Sequence, residues 1–193
     1  FNKTTGTQTL DSGGYNFSTI IHSGAGTLQL TGNPLTVISS FSNNAGTFDL
    51  NGQDWVMTGA DFSNTGTVQL RGSENLTDVL NDFSQGTWIY VGGSGSPFTV
   101  KDFGTGYDYY NLIISAADSS YTFQCANEIK IAGDLTLNDG VFDANGQAVT
   151  VEGTATLVAG EYLSKSGTQT FNGDLVLSAS GKLTGSNTGT ITV

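Results

Sequence analysis

Apolar and polar residues alternate in short runs along this chain, and the runs return at a fixed interval. Gly6, Gly26, Gly46, Gly66, Gly86 and Gly106 stand 20 residues apart, and threonine follows the first five as Thr7, Thr27, Thr47, Thr67 and Thr87. Two positions after the glycine come Gln8, Leu28, Phe48, Val68 and Trp88, and four positions after it Leu10, Leu30, Leu50, Leu70 and Tyr90. The residues between, Thr9, Gln29, Asp49, Gln69 and Ile89, are mostly polar and form an outward column. Such period-2 alternation puts one set of side chains on a common inner side, so each unit opens with a short β-strand. A second apolar pair follows as Tyr15 with Phe17, Leu35 with Val37 and Trp55 with Met57, and an aromatic returns late in the unit as Phe41, Phe62, Phe83 and Phe103. Two or three strands per 20 residues, joined by Asn, Gly, Ser and Asp turns, describe one coil of a parallel β-solenoid. No segment has the 3.6-residue period of an amphipathic helix.

The second half repeats the pattern in blurred form. Gly140 is followed by Phe142 and Ala144, then by Val149 and Val151, and Asn51-Gly52-Gln53 reappears as Asn145-Gly146-Gln147. This alignment predicts that Gly140 and Phe142 hold the places in their coil that Gly46 and Phe48 hold in theirs. Gly160 lies 20 residues further on, Gly167-Thr168-Gln169-Thr170 copies Gly6-Thr7-Gln8-Thr9, and Gly189-Thr190 closes the chain. Residues 91–128 depart from the period: Gly92 to Pro97 reads as a loop insertion, and Tyr109 to Ile114 restarts a strand, a lateral excursion within one solenoid with a two-block boundary near residue 107 as the alternative. The expected architecture is all-β, one elongated solenoid over residues 1–193 with nine or ten coils and an irregular region at 91–128. At about 4.8 Å per stacked strand it forms a rod on the order of 45 Å long.

Composition narrows the function. Glycine, at 27 of 193 residues, is roughly twice its average usage and falls at turns. Seventeen acidic against six basic residues give a net charge of −11, a surface that repels phosphate backbones and argues against nucleic-acid binding. A single cysteine, Cys125, permits neither an internal disulfide nor a Cys-type metal site, and beside Phe123 it reads as a small buried hydrophobe. No 18-residue apolar run and no recognisable signal peptide occur in the given residues, so membrane insertion is not expected. The start at Phe1, without methionine and close to the first repeat glycine, suggests a processed product or a piece of a longer array.

Residues 24–33 (GAGTLQLTGN), 45–53 (AGTFDLNGQ) and 64–70 (NTGTVQL) resemble the repeats of very large bacterial surface proteins, and so do residues 108–114 (DYYNLII) with 132–138 (AGDLTLN). Those proteins are similar to filamentous haemagglutinin-like adhesins and autotransporter passengers. The resemblance implies a right-handed parallel β-helix outside the cell. It implies an architecture and a location more firmly than an activity, since β-helices also carry lyases, hydrolases and tailspikes.

An enzyme of this shape gathers two or three carboxylates on one face for acid–base work. Asp49, Asp54 and Asp61 fall in one coil and Asp78 and Asp82 in the next, but at positions expected to point in different directions, which leaves them as solvated turn or surface carboxylates. Arg71, the only arginine, is expected to pair with Glu74 at the surface. His22, the only histidine, has no second ligand residue near it. Asp139 to Gly146 carries an Asp-x-Asn-Gly end like a calcium loop, without the alternating acids such a loop needs, so a turn explains it. The threonine column suits an ice-binding face, yet a second threonine column is lacking, and a β-branched ladder that stiffens the sheet explains it.

The sequence therefore points to a non-catalytic structural or adhesive segment of a secreted or cell-surface bacterial protein. No catalytic, cofactor or metal residue is assigned. Expected partners are further repeats or further copies at both ends, giving a filament, and surface glycans. The competing reading is a carbohydrate-binding or carbohydrate-cleaving β-helix, with an ice-binding solenoid more remote. A groove would discriminate, with carboxylates and exposed aromatics converging near Tyr107, Tyr109 and Tyr110; these tyrosines are expected to pack inward or at a coil edge.

Overall fold

The computed structural model describes residues 1–104, 106–186 and 188–193. Among them the chain is all-β, without helix, and winds through nine coils whose strand pairings are all parallel. One face is a continuous nine-stranded sheet running from Thr7–Leu10 through Thr87–Tyr90 to Leu175–Leu177. Its inner columns are those expected: Leu28, Phe48, Val68 and Trp88 stand in register, continued by Leu112, Leu135 and Ala155. Leu30, Leu50, Leu70 and Tyr90 are buried beside them. Thr7, Thr27, Thr47, Thr67 and Thr87 align outside the columns.

The 20-residue glycine is explained by how closely the coils approach at this corner. A Cβ on Gly46 would lie 2.1 Å from the Gly26 carbonyl oxygen, and its φ of +65° suits no L side chain well. The same carbonyls bind the coils together, because Thr27, Thr47 and Thr67 donate their N–H groups to Gly6, Gly26 and Gly46.

In the first coils the second and third faces are formed by strands that bend around a corner, Asn16–His22 and Leu35–Asn43, and then by the separate strands Trp55–Met57 and Asp61–Asn64. The corner between these faces gains a residue per coil: Ser18, then Ile38 and Ser39, then Thr58 to Ala60. The turn that closes the coil loses one each time, shrinking from 23–26 to 44–46 to 65–66. Gain and loss cancel, so the glycine period stays at 20 while the third face repeats at 21. One coil further, the same drift leaves only Gly86 to close the turn. There the third face breaks, and residues 78–86 contain no strand.

The second face breaks at the same level. Leu76–Thr77 ends one sheet and Phe98–Val100 begins another, without pairing between them. Aromatic packing spans the gap. Phe48, Trp55, Phe62, Trp88, Tyr109, Tyr90 and Phe123 form an unbroken series with ring centroids 5.0–6.5 Å apart, mostly edge to face.

Beyond the break the coil has three distinct strands, such as Leu135–Asp139, Val141–Asp143 and Val149–Val151. This corrects the alignment of Gly140 with Gly46. Phe48 belongs to the first face, whereas Phe142 belongs to the second, paired with Phe123 and Tyr162. The corner module itself is copied closely. Asn51 and Asn145 take φ of 50° and 53° and are followed by glycines at 82° and 81°. Their Nδ2 groups donate to the carbonyls of Leu30 and Cys125 in the coil before. Asp49 and Asp143 accept the N–H two residues on and an amide from Gln29 or Gln124. One local solution thus turns the first corner in one half and the second corner in the other.

Candidate functional site

Three of the five carboxylates weighed for catalysis, Asp49, Asp54 and Asp82, are occupied as turn locks. Asp49 lies in the outward column, as expected, but is only 6% exposed. Its Oδ2 takes the Gln29 amide at 2.7 Å and its Oδ1 the Asn51 N–H at 2.9 Å. Asp54 accepts from Asn75, through N–H at 2.8 Å and Nδ2 at 3.2 Å. Asp82 accepts from Ser84 and from the Asn64 N–H. The other two, Asp61 and Asp78, line one surface cleft with Leu80. A carboxylate that receives two or three N–H groups is fixed in place and serves the backbone of its turn.

Arg71 does not pair with Glu74. The Glu74 carboxylate accepts the N–H groups of Arg71, Gly72 and Gly52 at 2.7–3.0 Å, while the guanidinium donates to Asn51 Oδ1. Three uncommitted backbone donors at a tight turn hold a carboxylate better than one mobile cation at the surface. The ion pairs among the described residues are Lys130–Glu128, Lys165–Asp143 and Lys182–Glu161. Asp143, the centre of the calcium-like segment, has its oxygens taken by the Asn145 N–H, the Gln124 amide and Lys165 Nζ. Cys125 is fully buried between coils, in register with Val100, and burial pushes its thiol far above the ordinary range.

The sequence pattern missed an interior polar ladder. His22, Asn43 and Asn64 are buried and in register on the third face. His22 Nδ1–H donates to Asn43 Oδ1 and Asn43 Nδ2 to Asn64 Oδ1, each at 2.8 Å, and Asn43 Nδ2 also reaches the Thr67 carbonyl at 2.9 Å. The available signal was a spacing of 21 rather than 20.

Two clefts flank the break, each of about 350 Å³. The first opens between coils four and five, over Leu70 and Tyr90, where Lys101 Nζ bridges to the Leu76 carbonyl at 3.1 Å. The second lies on the third face and is lined by Asp102, Gly104, Gly106, Asp108, Glu128 and Lys130. Asp108 is its buried wall: Oδ1 takes the Phe103 N–H and Oδ2 the Lys130 N–H, both at 2.8 Å. Burial outweighs these two bonds, with Asp102 adding repulsion, and lifts the Asp108 carboxyl to about 6.

The three tyrosines divide. Tyr109 is fully buried, its hydroxyl donating to the Lys101 carbonyl at 2.6 Å and lying 2.9 Å from that of Tyr90. Tyr110 and Tyr107 remain 37% and 38% exposed. Tyr107 packs against Phe83, itself 47% exposed, with centroids 6.2 Å apart and planes tilted by 49°. Its hydroxyl donates to Glu152 Oε1 at 3.2 Å. Part of the expected inward packing is thus replaced by an open aromatic pair beside a polar cleft. No protein-family model matches the chain, and neither a curated protein nor a solved structure matches it.

Proposed function

We propose that the chain is a non-catalytic structural or adhesive segment of a secreted or surface-exposed bacterial repeat protein, related in kind to filamentous haemagglutinin-like adhesins and autotransporter passengers. One observation carries this reading. Asp49, Asp54, Glu74, Asp82 and Asp143 are engaged by backbone or amide donors, so these carboxylates hold coil corners instead of forming an acid–base pair; Asp61 with Asp78, and Asp102 with Asp108 and Glu128, line clefts and are the acids that the assay below tests. Shape is then the product, and the polar outer positions are free to vary. The partners we propose for the end coils are further repeats or another copy. Their strand edges, and apolar side chains such as Leu177 and Ile191, are the kind of surface that strand addition covers.

The test is a reducing-end assay on neutral and acidic polysaccharides together with a melting curve in chelator. No new reducing ends and an unchanged Tm are expected. Turnover, or a Tm that falls reproducibly with chelator, overturns the reading. Sedimentation over a concentration series tests assembly; a monomer at every concentration removes end-to-end association of copies.

A further inference from the structure

The solenoid's third face is interrupted only at coils four and five, and that interruption brings out its one exposed aromatic pair in mutual contact among the described residues. A single exposed ring is ordinary, but here two of them are in contact with planes tilted by 49°, an arrangement that a binding surface uses. Tyr107 also stands at the rim of the polar cleft. Its neighbours in sequence, Gly106 and Asp108, line that cleft, and Glu128, Asp108 and Tyr107 together raise the basicity of Lys130 at the cleft wall. Beyond the ring, Glu152 accepts from Tyr107 and, at 2.8 Å, from Asn172 Nδ2. Asn127 Nδ2 donates to Asp102 Oδ2 at 2.9 Å on the cleft's other side.

We propose that Phe83 and Tyr107 form a platform that binds an uncharged glycan, with the Asp102–Glu128–Lys130 cleft receiving its hydroxyls. The inference rests on the adhesive reading and names its ligand class. A sugar ring offers an apolar C–H face of the size of an aromatic ring and a rim of hydroxyls that both donate and accept. The rings match the first, while Asp102, Glu128 and Lys130 at the cleft match the second, exchanging their present bonds to Asn127 and to each other for sugar hydroxyls. Charge selects within the class: exposed Glu128, half-buried Asp102 and buried Asp108 against one lysine, on a chain of net charge −11, repel uronates and sulfated chains.

Affinity electrophoresis of the whole chain through gels containing laminarin, galactomannan, arabinoxylan or dextran tests this, with polygalacturonate and chitosan as charged comparisons. At least one neutral polymer is expected to retard the protein, and polygalacturonate to leave it free. Phe83→Ala and Tyr107→Ala should each weaken retardation about tenfold, the loss of one well-stacked ring, while Tyr107→Phe stays within about twofold because it keeps the ring. Tyr15→Ala, which removes the highly exposed tyrosine of the first coil, should change nothing, and melting curves confirm that each variant is folded. The proposal is overturned if no neutral polymer retards the protein, if chitosan alone does, or if Tyr15→Ala acts as strongly as Tyr107→Ala. Missing retardation without cleavage sinks the platform alone. Release of reducing ends sinks the non-catalytic reading and leaves the platform standing.

Discussion

The coils before the break and those after it solve the same problem with different parts. Through residue 43 the second and third faces are one strand bent around a corner, first Asn16–His22 and then Leu35–Asn43, and Phe41, Phe48, Trp55 and Phe62 gather into one ring cluster beside it. From residue 111 each coil has three separate short strands, and its buried rings, Phe123, Phe142, Tyr162 and Phe171, are set among aliphatic side chains such as Leu135, Val149, Ala155 and Leu157. Yet the Asp-x-Asn-Gly corner is the same module in both, moved by one face. A corner module fixes a bend and a bond to the coil below it; it carries no information about which side of the solenoid it will occupy. That side is set by how many residues accumulate around the coil.

The comparison can be broken most severely in the core. Phe48→Asp places a charge where no partner exists and should cost several kcal/mol, leaving the far-UV β signal lost at room temperature. Ala155→Asp buries the same charge in the same column beyond the break and should loosen the later coils first, where Phe48→Asp loosens the early ones, a difference that hydrogen exchange resolves.

A sharper test concerns the shared corner. Asn51→Ala and Asn145→Ala each remove a donor to the previous coil and force alanine to positive φ. Each should cost about 1–3 kcal/mol. Denaturant unfolding should give nearly equal losses; costs that differ severalfold would show that the face, and not the module, determines its stability.

The break region supplies the next effect. Since burial lifts the folded Asp108 carboxyl from the ordinary 3.8 to about 6, the folded chain binds that proton more tightly than the unfolded chain does. Its contribution to stability is therefore fullest below about pH 4 and is lost as pH rises to about 6. Asp11, Asp118 and Glu161 act with the opposite sign, held low by Asn33, by Ser120 and by Lys182 respectively. Tm measured between pH 4 and 6 should fall less steeply with rising pH, or rise more, in Asp108→Asn than in the parent; identical slopes refute the assignment.

The smallest effect belongs to the outward column. Gln29→Lys exchanges an amide donor to Asp49 for an ammonium in reach of the same carboxylate, much as Lys165 serves Asp143 in the other half. Stability should change by no more than about 0.5 kcal/mol.

Much of this was open to reading in the residues. The inner columns Leu28 to Trp88, the aligned threonines and the absence of helix follow from a period-2 pattern repeated every 20 positions, because each strand must bury alternate side chains and stack on its neighbour. The candidate site was legible only as a neighbourhood. Tyr107, Tyr109 and Tyr110 marked it, but three tyrosines within four positions give no sign that Tyr109 turns inward to Tyr90 while Tyr107 lies open against Phe83. Nor does local sequence show that Asp49 is covered by Gln29, or that Glu74 prefers three backbone N–H groups to Arg71. Those outcomes depend on which coil lies above and below, a relation across 20 residues or more. Alternation along a strand determined what points inward. The sum of corner and turn residues around each coil decided which face a motif occupies, where His22, Asn43 and Asn64 meet, and where the drift runs out and the wall opens, because register in a stacked coil is a global count.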